Sequence, residues 1–204
     1  MADTLHFLSG SPFARMGRVL VREWSLPVAE VELGFPLPEN WFEQNPLGQV
    51  PVLTLSGERI FPTFLILERL WELAGRPAVA YAPERDRQIL LTTLQAGDAL
   101  AAAAYIKWTG LGPVGPNHIG FELAPRHYER AYATLAWLAE LRRLGRLRDG
   151  ITLPGVALAA LVLWADAREG LDWRRHPELA ALVDPLAARA SFQGTKPRAW
   201  KPGD

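Results

Sequence analysis

The spacing of polar and apolar positions changes character once along this chain. In the first 76 residues short β-prone runs alternate with helical ones, whereas beyond residue 84 only helical spacing remains. Thr4 to Leu8 is a short β-prone run that Ser9-Gly10-Ser11-Pro12 breaks. Ser11 followed by Pro12 predicts a helix start, with a hydroxyl at the N-cap and proline in the first turn. Through about Ser25, Met16, Val19, Leu20 and Trp24 share one face, and Arg15, Arg18 and Arg22 share the opposite one. Val28 to Leu33 alternates and predicts a second strand. The resulting β-α-β order favours parallel pairing through a right-handed crossover.

A Gly34–Pro38 loop and a short helix over Asn40–Gln44 lead into Asn45-Pro46-Leu47-Gly48-Gln49-Val50-Pro51. Pro46 and Gly48 predict a turn there, and Val52 to Leu55 a strand. Pro51, at the mouth of that strand, cannot donate to a ladder and needs an edge, a first-strand position or a bend. The residues alone leave a trans bond, the commoner form, and a cis bond both open. Ser56-Gly57-Glu58 then turns the chain into a strand over Arg59–Phe61, completing a hairpin. Thr63 is expected to cap a helix with Ile66, Leu67, Leu70, Trp71 and Ala74 as its stripe. Gly75 is its stop, with Pro77 beyond.

Four helical stretches come next: Glu84–Trp108, Pro125–Leu144, Pro154–Arg168 and Pro177–Arg189, the last kinked or ended by Pro185. A Gly/Pro-rich loop over Gly110–Gly120 separates the first two. Ala99–Ala104 is small and apolar nearly all round, and Val156–Ala165 is an unbroken apolar run, so both helices belong in a core. The expected organisation is an α/β domain over residues 1–76, a linker over 77–83 and an all-helical bundle domain over 84–204. The tail from Gln193 is polar and is expected to be partly ordered.

Composition narrows the function classes. Apolar residues make up 49% of the 204, enough for a substantial core. Lys plus Arg and Asp plus Glu are both 22, so no charge excess points to nucleic acid or an anionic membrane. The apolar run is too short to span a bilayer, and the N-terminus lacks a basic signal region, which makes a cytoplasmic location the expectation. With no cysteine, a protein thiol nucleophile, a disulfide scaffold and a Cys-bound metal are excluded. His6, His118, His127 and His176 show no metal-ligand spacing, so no metal is expected.

Four stretches together resemble bacterial cytosolic glutathione transferases of the serine type. Ser11-Pro12-Phe13 with Arg15 and Arg18 is similar to their "SPF.RKVR" helix start, and Asn45–Leu53 to their "NPLGKVPVL". Phe61–Leu73 sits where they have "F(D/E)S..I.EYL.E". Gly150–Asp166, with Leu171-Asp172-Trp173, His176-Pro177 and Ala190-Ser191-Phe192, resembles their core helix and the segment after it. The resemblance covers nearly the whole chain. It implies a thioredoxin-like N-terminal domain (βαβ-ββα), a cis Val50–Pro51 bond and a homodimer. It also implies glutathione as co-substrate, and a small hydrophobic electrophile accepted between the domains.

Such chemistry needs a thiolate, and a free thiol has a pKa of about 8.5. Lowering it by about two units takes about 2.7 kcal/mol of preference for the anion. A helix N-terminus supplies about 0.3–1 kcal/mol and a hydroxyl bond to the charge about 1.5–3 kcal/mol. Ser11 can offer both, and by resemblance it is the catalytic residue, with Ser9 the alternative donor; on local sequence alone, an N-cap role is as good a reading. The resemblance also implies that glutathione lies against Ser9, Phe13, Trp41, Gln49, Val50, Pro51 and Thr63. Val50 would pair its backbone with the cysteinyl unit and Thr63 would hold the γ-glutamyl carboxylate. Phe13, Tyr105 and Trp108 are the expected acceptor pocket.

Two positions depart from the pattern. Pro62 stands where the family has Asp or Glu, and Asp98 could reach across a dimer to replace that charge. Gly155 stands where a capping box has Asp. The alternative to a transferase is a non-catalytic binding or regulatory module on the same fold, and a weaker one is a glutathione-dependent isomerase or peroxidase.

Overall fold

A computed structural model describes residues 2–108 and 120–197. The strand β1 (Thr4–Phe7) pairs parallel with β2 (Ala29–Glu32), Thr4 opposite Ala29, across the helix α1 (Pro12–Glu23). β3 (Val52–Leu55) runs antiparallel to β1, with Leu5 opposite Leu53. β4 (Glu58–Ile60) closes the hairpin, Leu53 opposite Ile60, and the sheet order is β2-β1-β3-β4. Ser56 (φ 50°) and Gly57 (φ 86°) both take left-handed backbone, the two-residue turn that matches strand twist.

The charged face expected of α1 is covered except at Arg22, which stays exposed. Arg15 and Arg18 are buried, because β2 and the short helix α8 (Ala190–Gln193) cover that side. The Arg15 Nη2 donates to the Phe192 carbonyl at 3.0 Å, with its guanidinium 5.2 Å from the Phe192 ring centre. Arg18 donates to Glu30 at 2.7 Å and stacks 3.8 Å above the Phe7 ring. Arg22 bonds Glu30 and the Gly194 carbonyl. Arg15 and Arg22 thus tie the α8 segment to the first helix, while Arg18 ties that helix to the sheet.

After α2 (Trp41–Gln44) and the hairpin, α3 (Thr63–Leu73) begins one position earlier than expected. Pro62 occupies the N-cap, with no side-chain bond, and Thr63 is the first helical residue rather than the cap. Gly75 (φ 81°) ends α3 as expected, and the Arg76 N–H closes the last turn on the Trp71 carbonyl at 2.9 Å.

The helical region contains α4 (Pro83–Trp108), α5 (Gly120–Arg143), α6 (Leu153–Glu169) and α7 (Pro177–Ala187). The expected loop over residues 110–119 lies outside the described residues; Gly120 is already helical, and Pro125 sits inside α5 instead of opening it. α4 is long and apolar enough to cross a membrane by length and composition, yet Ile89, Leu90, Leu100, Ala103 and Ala104 are buried in the protein core. In α6 every residue from Leu153 to Val162 is buried. Thr152 caps it, accepting from the Gly155 N–H at 3.0 Å. A Cβ on Gly155 would come within 2.8 Å of that hydroxyl, so glycine permits the close cap that replaces the box. Pro185 lies within α7, which stops two residues later.

Candidate functional site

The turn from β1 to α1 presents Ser9, Gly10 and Ser11. Ser11 has extended backbone (φ −83°, ψ 120°), and its Oγ accepts from the Ala14 N–H at 3.2 Å. A hydroxyl has one donor and two acceptor sites, so capping leaves the Ser11 O–H able to donate. The first turn of α1 carries no acidic residue to oppose an anion there. The cap and donor roles weighed from sequence are therefore compatible in one side chain. Ser9 lies half-buried in the same turn.

The Asn45–Pro51 loop is held from behind. The Trp41 indole N–H donates to the Gln49 carbonyl at 3.0 Å, and the Asn45 amide donates to the same oxygen at 2.9 Å. Asn45 also accepts from the Leu47 N–H at 3.0 Å. Trp41 is buried, edge-on to His6 at 5.9 Å, and desolvation lowers the His6 pKa. Trp41 thus spends its polar atom on the loop, while the Gln49 side chain is exposed. The Val50–Pro51 bond is cis, as are Phe35–Pro36 and Phe61–Pro62. Among the described residues no turn or loop backbone hydrogen bond uses the N–H or C=O of half-buried Val50. Asn45 was missed in the sequence; an Asn-Pro step at a turn, where Asn bonds the backbone two residues on, was its available signal.

Thr63 is half-buried at the start of α3. The first intrahelical bonds there are those of Leu65 and Ile66 to the Pro62 carbonyl, so the Thr63 and Phe64 amides are outward-facing donors. Pro62 is exposed beside them and offers neither charge nor N–H.

From the helical side comes an aromatic group. Phe13 is packed inward: a Cβ on Gly97 of α4 would meet the Phe13 ring at 3.0 Å and Leu161 of α6 at 3.2 Å. Phe13 therefore plugs the seam between α1, α4 and α6. Tyr105 and Trp108 are exposed, edge-to-face at 5.8 Å, with Trp164 edge-on behind Trp108 at 6.3 Å. Two residues that sequence reasoning missed organise this end. The Glu169 side chain is fully enclosed. It accepts from Lys107 at 3.1 Å, the Trp108 indole at 3.1 Å and the Tyr128 hydroxyl at 2.9 Å. Burial, then the bond to Glu169, pushes the Tyr128 pKa up to about 12. Arg168 lies 5.6 Å from the Trp108 ring centre, and its Nη2 would be 3.4 Å from a Cβ on Gly10. Arg168 is thus the bridge between the Ser11 turn and the aromatic group. Helical period placed Arg168 at the end of an apolar helix and left Glu169 just outside it.

Asp98 is an exposed residue on α4, bonded by Gln95 at 3.4 Å, and its carboxyl is raised above the usual range by desolvation. Among the described residues no group of three His, Asp or Glu side chains could hold a metal ion.

No protein-family model matches this sequence, and no curated protein is a significant match. Solved structures do match. A glutathione S-transferase from Methylobacillus flagellatus, with glutathione bound, is 26% identical at a TM-score of 0.80, covering 96% of this chain and 100% of that one. One from Methylobacterium radiotolerans, in complex with glutathione sulfonate, is 26% identical at a TM-score of 0.81, covering 100% and 99%. A glutathione transferase family member from Pseudomonas fluorescens Pf-5, with bound glutathione, is 24% identical at 0.77, covering 97% and 100%. A four-stranded mixed sheet followed by helices, aligned over nearly the full chain, places this protein by its structure with the glutathione transferases.

Proposed function

We propose that the protein is a serine-type glutathione transferase. It binds glutathione along the Ser11 turn, the Val50 edge and the start of α3, and transfers the thiolate to a small electrophile. The observation that carries this reading is the Ser11 hydroxyl: it caps α1 through its oxygen at 3.2 Å and keeps its proton for a thiolate at the helix's positive end. The similar proteins with glutathione or glutathione sulfonate bound support the ligand. The cysteinyl amide would pair with the Val50 backbone as a short strand addition, and the γ-glutamyl carboxylate would meet the Thr63 hydroxyl and the first amides of α3. Trp41 and Asn45 would act by holding Gln49, and so the loop, in place. Residues 1–76 would form the glutathione domain and 84–204 the acceptor side of a homodimer working in the cytoplasm.

In the reaction the sulfur attacks the electrophilic carbon and a C–S bond forms. The leaving group departs with its bonding pair, and the thiol proton goes to solvent. The protein supplies position and charge stabilisation. Pro62, where an acidic group would grip the γ-glutamyl end, favours a second reading as a binding module. Isothermal calorimetry with glutathione separates the two. Binding followed by conjugation of an electrophile supports the enzyme, and no heat at millimolar glutathione refutes it.

A further inference from the structure

Neighbouring residues at the end of α6 point in different directions, and the division has a consequence for substrate choice. Glu169 faces α4 and α5, where Lys107, Trp108 and Tyr128 converge on its carboxylate. That bond fixes the Trp108 indole and leaves its ring exposed beside Tyr105. Arg168 faces the other way. Its guanidinium lies over the Trp108 ring, 5.6 Å from the ring centre, and reaches to the van der Waals edge of Gly10, the residue before Ser11. Glycine there leaves the approach open. A guanidinium at cation–π distance from an aromatic ring carries planar N–H donors whose geometry suits a carboxylate. An acceptor lying on the exposed rings of Tyr105 and Trp108, with its electrophilic carbon turned to Ser11, therefore has a cation at its edge. A guanidinium carries several N–H donors, so existing contacts of Arg168 do not prevent one more.

We propose that Arg168 selects the acceptor: the preferred electrophile is a flat, conjugated or aromatic molecule that carries a carboxylate, held by the Arg168 guanidinium between Trp108 and the Ser11 turn. This rests on the transferase reading above. The expected gain from one charge-assisted bond is about tenfold to a hundredfold in kcat/KM.

The test compares two probes, a neutral chlorodinitrobenzene and a chlorodinitrobenzoate that adds a carboxylate to the same ring. In each, sulfur displaces chloride, which leaves with its bonding pair while the thiol proton passes to solvent. The two rates are measured in wild type, Arg168→Met and Arg168→Lys. Comparing variants on each probe removes the ring's own electronic difference. The expected result is that Arg168→Met lowers kcat/KM for the benzoate by about tenfold or more, mainly through KM, with less than about threefold change for the neutral probe. Arg168→Lys should keep part of the preference. An unchanged ratio between the probes overturns the assignment of Arg168 while leaving the transferase reading intact. Equal loss on both probes in both variants shows that Arg168 only supports the fold and also overturns it. No conjugation of either probe by wild type overturns both readings.

Discussion

Replacing Ser11 separates two roles that one oxygen combines. Ser11→Ala removes the acceptor of the Ala14 N–H, a bond of 3.2 Å, and should cost about 1 kcal/mol of stability, the usual worth of an N-cap. It also removes the O–H that would face the thiolate. A hydrogen bond to a charged group contributes about 1.5–3 kcal/mol, and a pKa unit corresponds to about 1.36 kcal/mol, so the bound thiol should rise by about one to two units. From a bound pKa of about 6.5, that leaves about threefold to twenty-fivefold less thiolate at pH 7, and kcat/KM should fall by the same factor. The helix dipole remains and accounts for less than about one unit. Ser11→Asp is the control, since aspartate caps as well as serine. It should keep the unfolding midpoint but lose the activity, because it places a negative charge against the sulfur. The assay is the pH profile of conjugation with glutathione saturating, read beside urea unfolding. A Ser11→Ala protein whose stability falls while its pH profile stays put would refute the reasoning and make Ser11 a cap alone.

Other consequences arise from particular contacts. Gly97→Val should destabilise the protein by about 1–3 kcal/mol in urea unfolding, since its first carbon would already sit 3.0 Å from Phe13 and 3.2 Å from Leu161. The penalty should be smaller in a Phe13→Ala background, as a double-mutant cycle would read. Glu169→Gln keeps the shape but removes the charge that gathers Lys107, Trp108 and Tyr128. It should cost about 1.5–3 kcal/mol and shift indole fluorescence, and unchanged stability would show that the cluster contributes nothing net. Acid should loosen the seam between α1 and the C-terminal segment. In Glu23 the bond from Arg189 lowers the carboxyl pKa. In Glu30 burial works against the charge, but bonds from Arg22 and Arg18 outweigh it and the net shift is also downward. A folded pKa below the unfolded value of 4.5 means stability present above that pH and lost as pH falls through the folded values. Thermal unfolding followed downward from pH 6 should show this loss, and a Glu23→Gln, Glu30→Gln double variant should show less of it.

Local sequence determined much of this protein. Each strand bound was legible within one residue, because alternation and the glycine and proline punctuation between strands act on neighbouring residues. Ser11-Pro12 and Gly75 marked helix ends for the same reason: caps and stops depend on backbone groups a few positions away. What only the tertiary structure decided involves residues far apart in the chain. Helical period put Arg15, Arg18 and Arg22 on one face but could not see Phe192 or Gly194 meeting it from far along the chain. Phe13 read as a pocket wall, and only packing shows that its ring also fills the space beside Gly97 and Leu161. Arg168 looked like the end of a helix and Glu169 lay beyond it, and their different contacts arise only once α4, α5 and the Ser11 turn surround them. Spacing along the chain dictates which residues share a face. What covers that face is settled by packing between distant elements, and the charge balance of the site is set there.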